Sequence, residues 1–145
     1  MTAGVTVRPA ERRDAAGLTA LIRALNKDQD GTASRVTQDR VIADLIDGGA
    51  RGACHVAAGE GRLLGYGTAF PTYETSHAAK GRYIGDLYVV AAYRRQGIAR
   101  AILASFARLG KAEGGDHVTE LRERGVGEDL LDVALGDRAE RGVQR

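Results

Sequence analysis

Six consecutive residues, Arg94-Arg95-Gln96-Gly97-Ile98-Ala99, with Arg100 directly behind them, have the composition and spacing of an anion seat. They follow the apolar stretch Leu87-Tyr88-Val89-Val90 and open the helical pattern Ile98-Ala99-Arg100-Ala101-Ile102-Leu103. A helix start leaves backbone N–H groups without intrahelical partners and carries partial positive charge. A glycine there lets the main chain approach a phosphate closely, and flanking arginines add charge-assisted hydrogen bonds. The chemistry implied is capture of a phosphorylated cofactor. A nucleotide P-loop is excluded, because no Gly-Lys-Ser/Thr follows.

The elements that must position this loop can be read on either side of it. Val5-Thr6-Val7 alternates and ends at Arg8-Pro9, as a short first strand would. Asp14 is the expected cap of a helix over residues 14 to 27, in which Leu18, Leu21, Ile22 and Leu25 form one apolar stripe. Thr37 caps a second expected helix with Val41, Ile42, Leu45 and Ile46 buried, and Gly48-Gly49 stops it. Residues 53–58 and 63–70 read as strands of a hairpin joined by Gly59-Glu60-Gly61-Arg62. A loop holding Glu74, His77 and Lys80 then leads to a strand from Arg82 to Val90. A helix runs from about Gly97 to Glu113, and His117 to Leu121 form a last strand, making a parallel strand-helix-strand crossover. The fold class expected is α/β: a mixed, mostly antiparallel central sheet with that crossover and helices on both faces.

Composition narrows the function. The chain has 145 residues, enough for one domain spanning 1–145, in which residues 122–145 are charged, lack aromatics and hold one short helical candidate, Glu128 to Leu135. The net charge of +2 is too small for bulk nucleic-acid binding, so no nucleic-acid partner is expected. Cys54 is the sole cysteine, which excludes an intramolecular disulfide and a multi-cysteine metal site, and no metal is expected. No signal-like leader and no run of 18 apolar residues is present, so the expected location is cytoplasmic, with no membrane partner.

Arg94, Gly97 and Ala99 occupy the first, fourth and sixth places of the pattern Arg/Gln-x-x-Gly-x-Gly/Ala. With Asp86-Leu87-Tyr88-Val89 before it, this segment resembles the acetyl-CoA-binding signature of the GCN5-related N-acetyltransferase (GNAT) family, loosely from Val5 to about Val118 and closely from Tyr83 to Leu103. Within that family, Phe70-Pro71-Thr72-Tyr73 and Arg82 to Val89 are similar to the diamine acetyltransferase branch. The resemblance implies acetyl-CoA as cofactor, with its pyrophosphate on the main-chain N–H groups of Gln96, Gly97, Ile98, Ala99 and Arg100 beside the Arg94 and Arg95 side chains. It also implies that the backbone of Leu87, Tyr88 and Val89 pairs with the pantetheine arm as an added strand would. The implied acceptor is a small amine or peptide, and a homodimer is the assembly the family suggests.

Acetyl transfer to nitrogen needs a neutral amine, so a base or a water chain must take a proton before attack on the thioester, and a carboxylate near the carbonyl would serve. In the family this is often a Glu nine positions before the first motif residue, and here that position is Gly85. Asp86, the adjacent acid, is the expected substitute, although strand alternation points it to the opposite face from residue 85. His55 reads as a hydrogen-bonded core or edge residue, and Glu74, His77 and Tyr73 as loop residues. The family's tyrosine acid, four residues before a Gly-Phe pair, is matched only by Asp132, ahead of Leu135-Gly136-Asp137. Direct attack in a ternary complex is expected, because Cys54 has no evident activating partner. Two readings stay open: an N-acetyltransferase, and a catalytically impaired acyl-CoA-binding sensor or partner protein, which Gly85 and Asp132 would suit.

Overall fold

The computed structural model describes residues 4–31, 34–76, 78–114 and 117–119. His77, Glu120 onward and the candidate helix 128–135, with Asp132 and Asp137, lie outside them. Strand β1 (Thr6–Pro9) leads through a tight turn (Arg12–Asp14) into helix α1 (Ala15–Asp30), then α2 (Gln38–Arg40), which continues as a π-helical stretch (Val41–Ile46). Strands β2 (Ala53–Gly59), β3 (Arg62–Glu74) and β4 (Ala79–Val89) follow, then α3 (Ile98–Ala112) and β5 (His117–Thr119). The sheet order is β1-β2-β3-β4-β5. The first three pairings are antiparallel and β4–β5 is parallel, so α3 is the crossover of the expected strand-helix-strand unit.

Apolar side chains divide between the two faces of this sheet. Leu18, Leu21, Ile22 and Leu25 of α1, with Val41, pack on Cys54, Val56 and Tyr66. On the opposite face Ile98, Ile102, Leu103 and Phe106 of α3 pack on Val5, Ala57, Leu64, Ala69, Ile84 and Val89. Gly67 permits this close seating, since a Cβ there would meet Ile102 Cγ2 at 2.8 Å and Phe106 Cε2 at 3.0 Å. His55 is buried under α3, stacked on Phe106 with ring centroids 4.4 Å apart. The Ser105 hydroxyl donates to Ile102 O at 2.6 Å, so His55 Nδ1, 2.7 Å from Ser105 Oγ, carries the proton and donates to it. Burial first, then Arg82 and Arg108, push the His55 pKa down to about 4, which keeps it a neutral core residue.

Local differences from the sequence reading have physical causes. The β2–β3 turn is the expected hairpin, with Glu60 and Gly61 both left-handed (φ 54 and 75), as the right-handed twist of the flanking strands demands. Beyond Phe70, however, β3 runs on to Glu74 and β4 begins at Ala79, so Glu74 and Lys80 belong to an extended β3–β4 hairpin and not to a loop. Helix α1 extends through Asp30 and ends at Gly31, whose φ of 75 supplies the left-handed terminus. Thr37 caps α2 as expected, its Oγ1 accepting from Arg40 N at 3.2 Å.

Asp14 does not cap α1 through its side chain. It takes both Arg8 nitrogens, at 2.7 and 3.0 Å, and accepts the Glu11 N–H at 2.7 Å, tying the end of β1 to the head of α1. The Arg8 hydrogen bonds hold its carboxyl below the usual range. A lowered native pKa means the stabilisation is present above the unfolded value and is lost as pH falls through the native one. Asp14→Asn is expected to cost about 2 kcal/mol at neutral pH. Urea unfolding should show the loss at pH 7 and a flatter acid limb below about pH 4 than in the parent protein.

Candidate active site

Strand β4 carries one edge on β3 over its whole length, whereas the described residues of β5 pair with Gly81, Arg82 and Tyr83. Among the described residues, the other edge of β4 therefore has no strand partner from Ile84 to Val89. Val90 N donates to Leu64 O at 2.8 Å. By the alternation of an antiparallel ladder, Tyr88 also faces β3, while the N–H and C=O groups of Leu87 and Val89 point to the open edge. A cavity of about 450 Å³ lies here, walled by Leu25, Asp28 and Gln29 of α1, by Leu87, Tyr88 and Val89, and by Arg94.

The loop from Val90 to Gly97 is folded by its own turns. Tyr93 N donates to Val90 O at 2.8 Å, and the Tyr93 hydroxyl donates to Glu60 Oε1 at 2.7 Å, fastening the loop to the β2–β3 hairpin. Arg95 and Gly97 are both left-handed, with φ of 65 and 86, and Gly97 is the residue that enters α3. Only glycine takes that conformation without a steric penalty. The first helix bond runs from Ala101 N to Gly97 O at 3.0 Å, so the N–H groups of Ile98, Ala99 and Arg100 lie at the bare, partially positive end of a 15-residue helix. Ile98 is buried and Ala99 half-buried, which anchors this end, while Arg95, Gln96 and Arg100 are exposed.

Arg94 reaches back to the strand that precedes it. Its Nε donates to Val89 O at 2.6 Å and its guanidinium lies over the Tyr88 ring, 5.4 Å from the centroid. It thus bridges the loop and the open edge of β4, with Arg95 and Arg100 as the outward cations.

The acid position is set by a β-bulge. Thr68 pairs with Asp86 and Ala69 with Ile84, which leaves Gly85 as the extra residue on β4. Simple alternation would put residues 85 and 86 on opposite faces, but a bulge turns both to one side. A Cβ at Gly85 would meet Thr68 Oγ1 at 2.9 Å and the Phe70 ring at 3.1 Å, on the α1 side. Asp86 lies on that side too, where its Oδ2 accepts from the Tyr66 hydroxyl at 2.8 Å. The displaced Asp86 N–H donates to Thr68 Oγ1 at 2.9 Å. Residue 85 is therefore filled by Thr68 and Phe70, and the half-buried carboxylate beside it belongs to Asp86. The hydroxyl of Tyr66 was missed from the sequence, because only the cross-strand register brings it there.

Cys54 is buried on the same face, and its thiol is pushed up to about 12, chiefly by burial and then by Asp86 and Asp14. It stays protonated at neutral pH and is no nucleophile. The arrangement can thus seat a phosphorylated ligand at the α3 start, pair an extended ligand along β4, and present one carboxylate to a proton on the α1 side. Among the described residues no group of three or more His, Cys, Asp or Glu could hold a metal ion, and no helix is long and apolar enough to cross a membrane.

The sequence profile of the acetyltransferase (GNAT) family matches residues 18–126. No curated protein matches the sequence. Solved structures similar in fold include a ribosomal-protein-alanine N-acetyltransferase from Brucella melitensis biovar Abortus, 21% identical with a TM-score of 0.66, over 89% of this chain and 86% of that one. An aminoglycoside acetyltransferase from an uncultured soil metagenomic sample, in complex with sisomicin, is 18% identical with a TM-score of 0.66, over 95% and 86%. Glucosamine-6-phosphate N-acetyltransferase from Arabidopsis thaliana is 19% identical with a TM-score of 0.66, over 83% of each chain.

Gly85→Ala is expected to destabilise the fold by about 1–3 kcal/mol, by driving Thr68 off the Asp86 N–H. Chemical denaturation of the variant checks this, and unchanged stability would show that Thr68 and Phe70 give way freely.

Proposed function

Because the chain belongs to the acetyltransferase (GNAT) family, whose members use acetyl-CoA as cosubstrate, we propose that it acetylates a primary amine of a small molecule or peptide by direct attack in a ternary complex. The observation that carries this reading is the left-handed Gly97 turn opening α3 directly beside the open edge of β4. Those residues fit the cofactor by their chemistry. Bare N–H groups and the exposed Arg95 and Arg100 suit its pyrophosphate, while the Leu87 and Val89 main-chain groups suit the amides of its pantetheine arm. Arg94 would turn from Val89 O toward the pyrophosphate as those amides take up the edge.

The cofactor supplies an acetyl thioester, and the rest falls to this chain. Asp86 takes the proton of the incoming ammonium, so that nitrogen attacks with a free lone pair. The Val89 N–H, aimed at the open edge, stabilises charge on the carbonyl oxygen during attack. The proton still on the acylated nitrogen after attack passes to the departing coenzyme A thiolate, so that the products are the neutral amide and a thiol, with Asp86 holding the first proton until solvent takes it. Cys54, protonated and buried, supports a route without a covalent enzyme intermediate. The cavity wall carries Leu25, Leu87, Tyr88 and Val89 together with Asp28, Gln29 and Arg94, and of these the exposed Asp28 is the carboxylate that suits a cationic amine. Structural relatives named for an aminoglycoside, for glucosamine-6-phosphate and for a protein alanine make those amines, with polyamines, the first acceptors to test.

Two measurements test this. Calorimetry should show that Gly97→Glu abolishes coenzyme A binding, while Gly97→Ala, which carries the backbone strain of about 1 kcal/mol without the charge, retains part of it. Equal affinity of the Glu variant and the parent would refute the placement. Release of coenzyme A, followed with a thiol reagent across the amine panel, should fall about 100-fold or more in Asp86→Asn with cofactor affinity unchanged. Tight cofactor binding by the parent without turnover on any amine would favour the acyl-CoA sensor, the reading that the filled space at Gly85 recommends.

A further inference from the structure

We infer that Tyr66 is the positioning residue of the transfer reaction: its buried hydroxyl fixes the Asp86 carboxylate so that one oxygen remains to take the amine proton. This rests on the reading of Asp86 as base and deepens it. Tyr66 is fully buried in the centre of β3, directly opposite Tyr88, with Val56 beside it on β2 and α1 packed over it. A phenol placed there has little rotamer freedom, and its single proton goes to Asp86 Oδ2 at 2.8 Å. Burial first, then Asp86 and the hydrogen bond to it, raise the Tyr66 pKa far above neutrality, so the hydroxyl always arrives as a donor.

The geometry explains why a bulge and a tyrosine occur together. An aspartate is one carbon shorter than the glutamate that serves as base in many family members, and it sits one residue later on the strand. The bulge rotates it onto the α1 face, and the Thr68 Oγ1 bond to its N–H holds that rotation. Side-chain torsion would still let the carboxylate swing. The Tyr66 hydroxyl removes that freedom by engaging one oxygen, and among the described residues no other group hydrogen-bonds to the carboxylate. The second oxygen is left as the acceptor for the ammonium proton. Positioning of this kind acts on the proton-transfer step and leaves cofactor binding untouched.

The test compares Tyr66→Phe and Asp86→Asn on two acceptors, an alkyl amine that is protonated at neutral pH and an aromatic amine that is already neutral. With the alkyl amine, Tyr66→Phe should lower kcat about tenfold with the KM for acetyl-CoA unchanged, and Asp86→Asn should lower it further. With the aromatic amine both losses should shrink to within about twofold, since no proton need be removed before attack and the one shed after it is acidic enough to pass to the departing thiolate or to water. A merely structural role for Tyr66 would reduce both acceptors alike. An equal loss on the two amines, or full activity of Tyr66→Phe beside an inactive Asp86→Asn, overturns the role of Tyr66 and leaves Asp86 as base. An active Asp86→Asn overturns the base itself and Tyr66 with it. Thermal melting and coenzyme A calorimetry confirm that Tyr66→Phe is folded, and Tyr66→Met repeats the comparison where the Phe variant melts early.

Discussion

Among the described residues, the main chain of β4 from Ile84 to Val89 has a strand partner on one edge only, and the candidate site is organised around that imbalance. An unpaired strand edge in the middle of a sheet leaves polar groups half-used, and a folded protein must cover, pair or use them. Here β5 joins β4 over Gly81–Tyr83, while the Arg94 guanidinium comes back to Val89 O. What lies between can accept an extended chain with amides at the spacing of a strand. Affinity of this kind comes from backbone geometry, which is why Leu87, Tyr88 and Val89 need no particular side chains for it.

A second constraint acts at the middle of the same strand. One extra residue at Gly85 interrupts the ladder, and the main-chain N–H it frees is taken by Thr68 Oγ1. The cost of the irregularity is therefore met locally by a side chain. Its effect is to place two successive residues on the α1 face, where alternation allows one. Glycine suits the first because Thr68 and Phe70 already occupy its side-chain space, and aspartate at the second gains the Tyr66 hydroxyl. The departure from the family's glutamate and the presence of a bulge-supported aspartate form one arrangement.

Much of this was legible in the sequence because it depends on local chemistry. The period-2 and period-3.6 patterns gave the sheet and both helix faces, the Glu60-Gly61 pair gave its hairpin, and Gly97 marked the turn that opens an apolar-striped helix. What was hidden depends on pairing between distant residues. Nothing near Asp86 in sequence announces a bulge, since Gly85 becomes the extra residue only when Ala69 pairs with Ile84 and Thr68 with Asp86. Tyr66 reads as one more core aromatic until the register sets it against that carboxylate. Asp14 likewise has the composition of a helix cap, yet Arg8, six residues earlier, competes successfully for both its oxygens.

The two faces of the sheet consequently do different work. On the α3 side everything is fixed: Gly67 admits the helix closely, Phe106 stacks on a neutral His55, and Ile98 and Ile102 pin the helix start that the anion seat requires. A helix whose first turn moved by an ångström would carry its N–H groups out of reach of a phosphate, so this packing is a condition of the binding proposed. On the α1 side the core is shared with polar atoms, because Tyr66, Asp86 and Thr68 sit at the margin of the cluster made by Leu18, Leu21, Ile22 and Leu25. That margin excludes water from the hydroxyl while leaving Asp86 half-buried, the combination that its proposed role as proton acceptor needs if the carboxylate is to be both held still and within reach of an amine from solution.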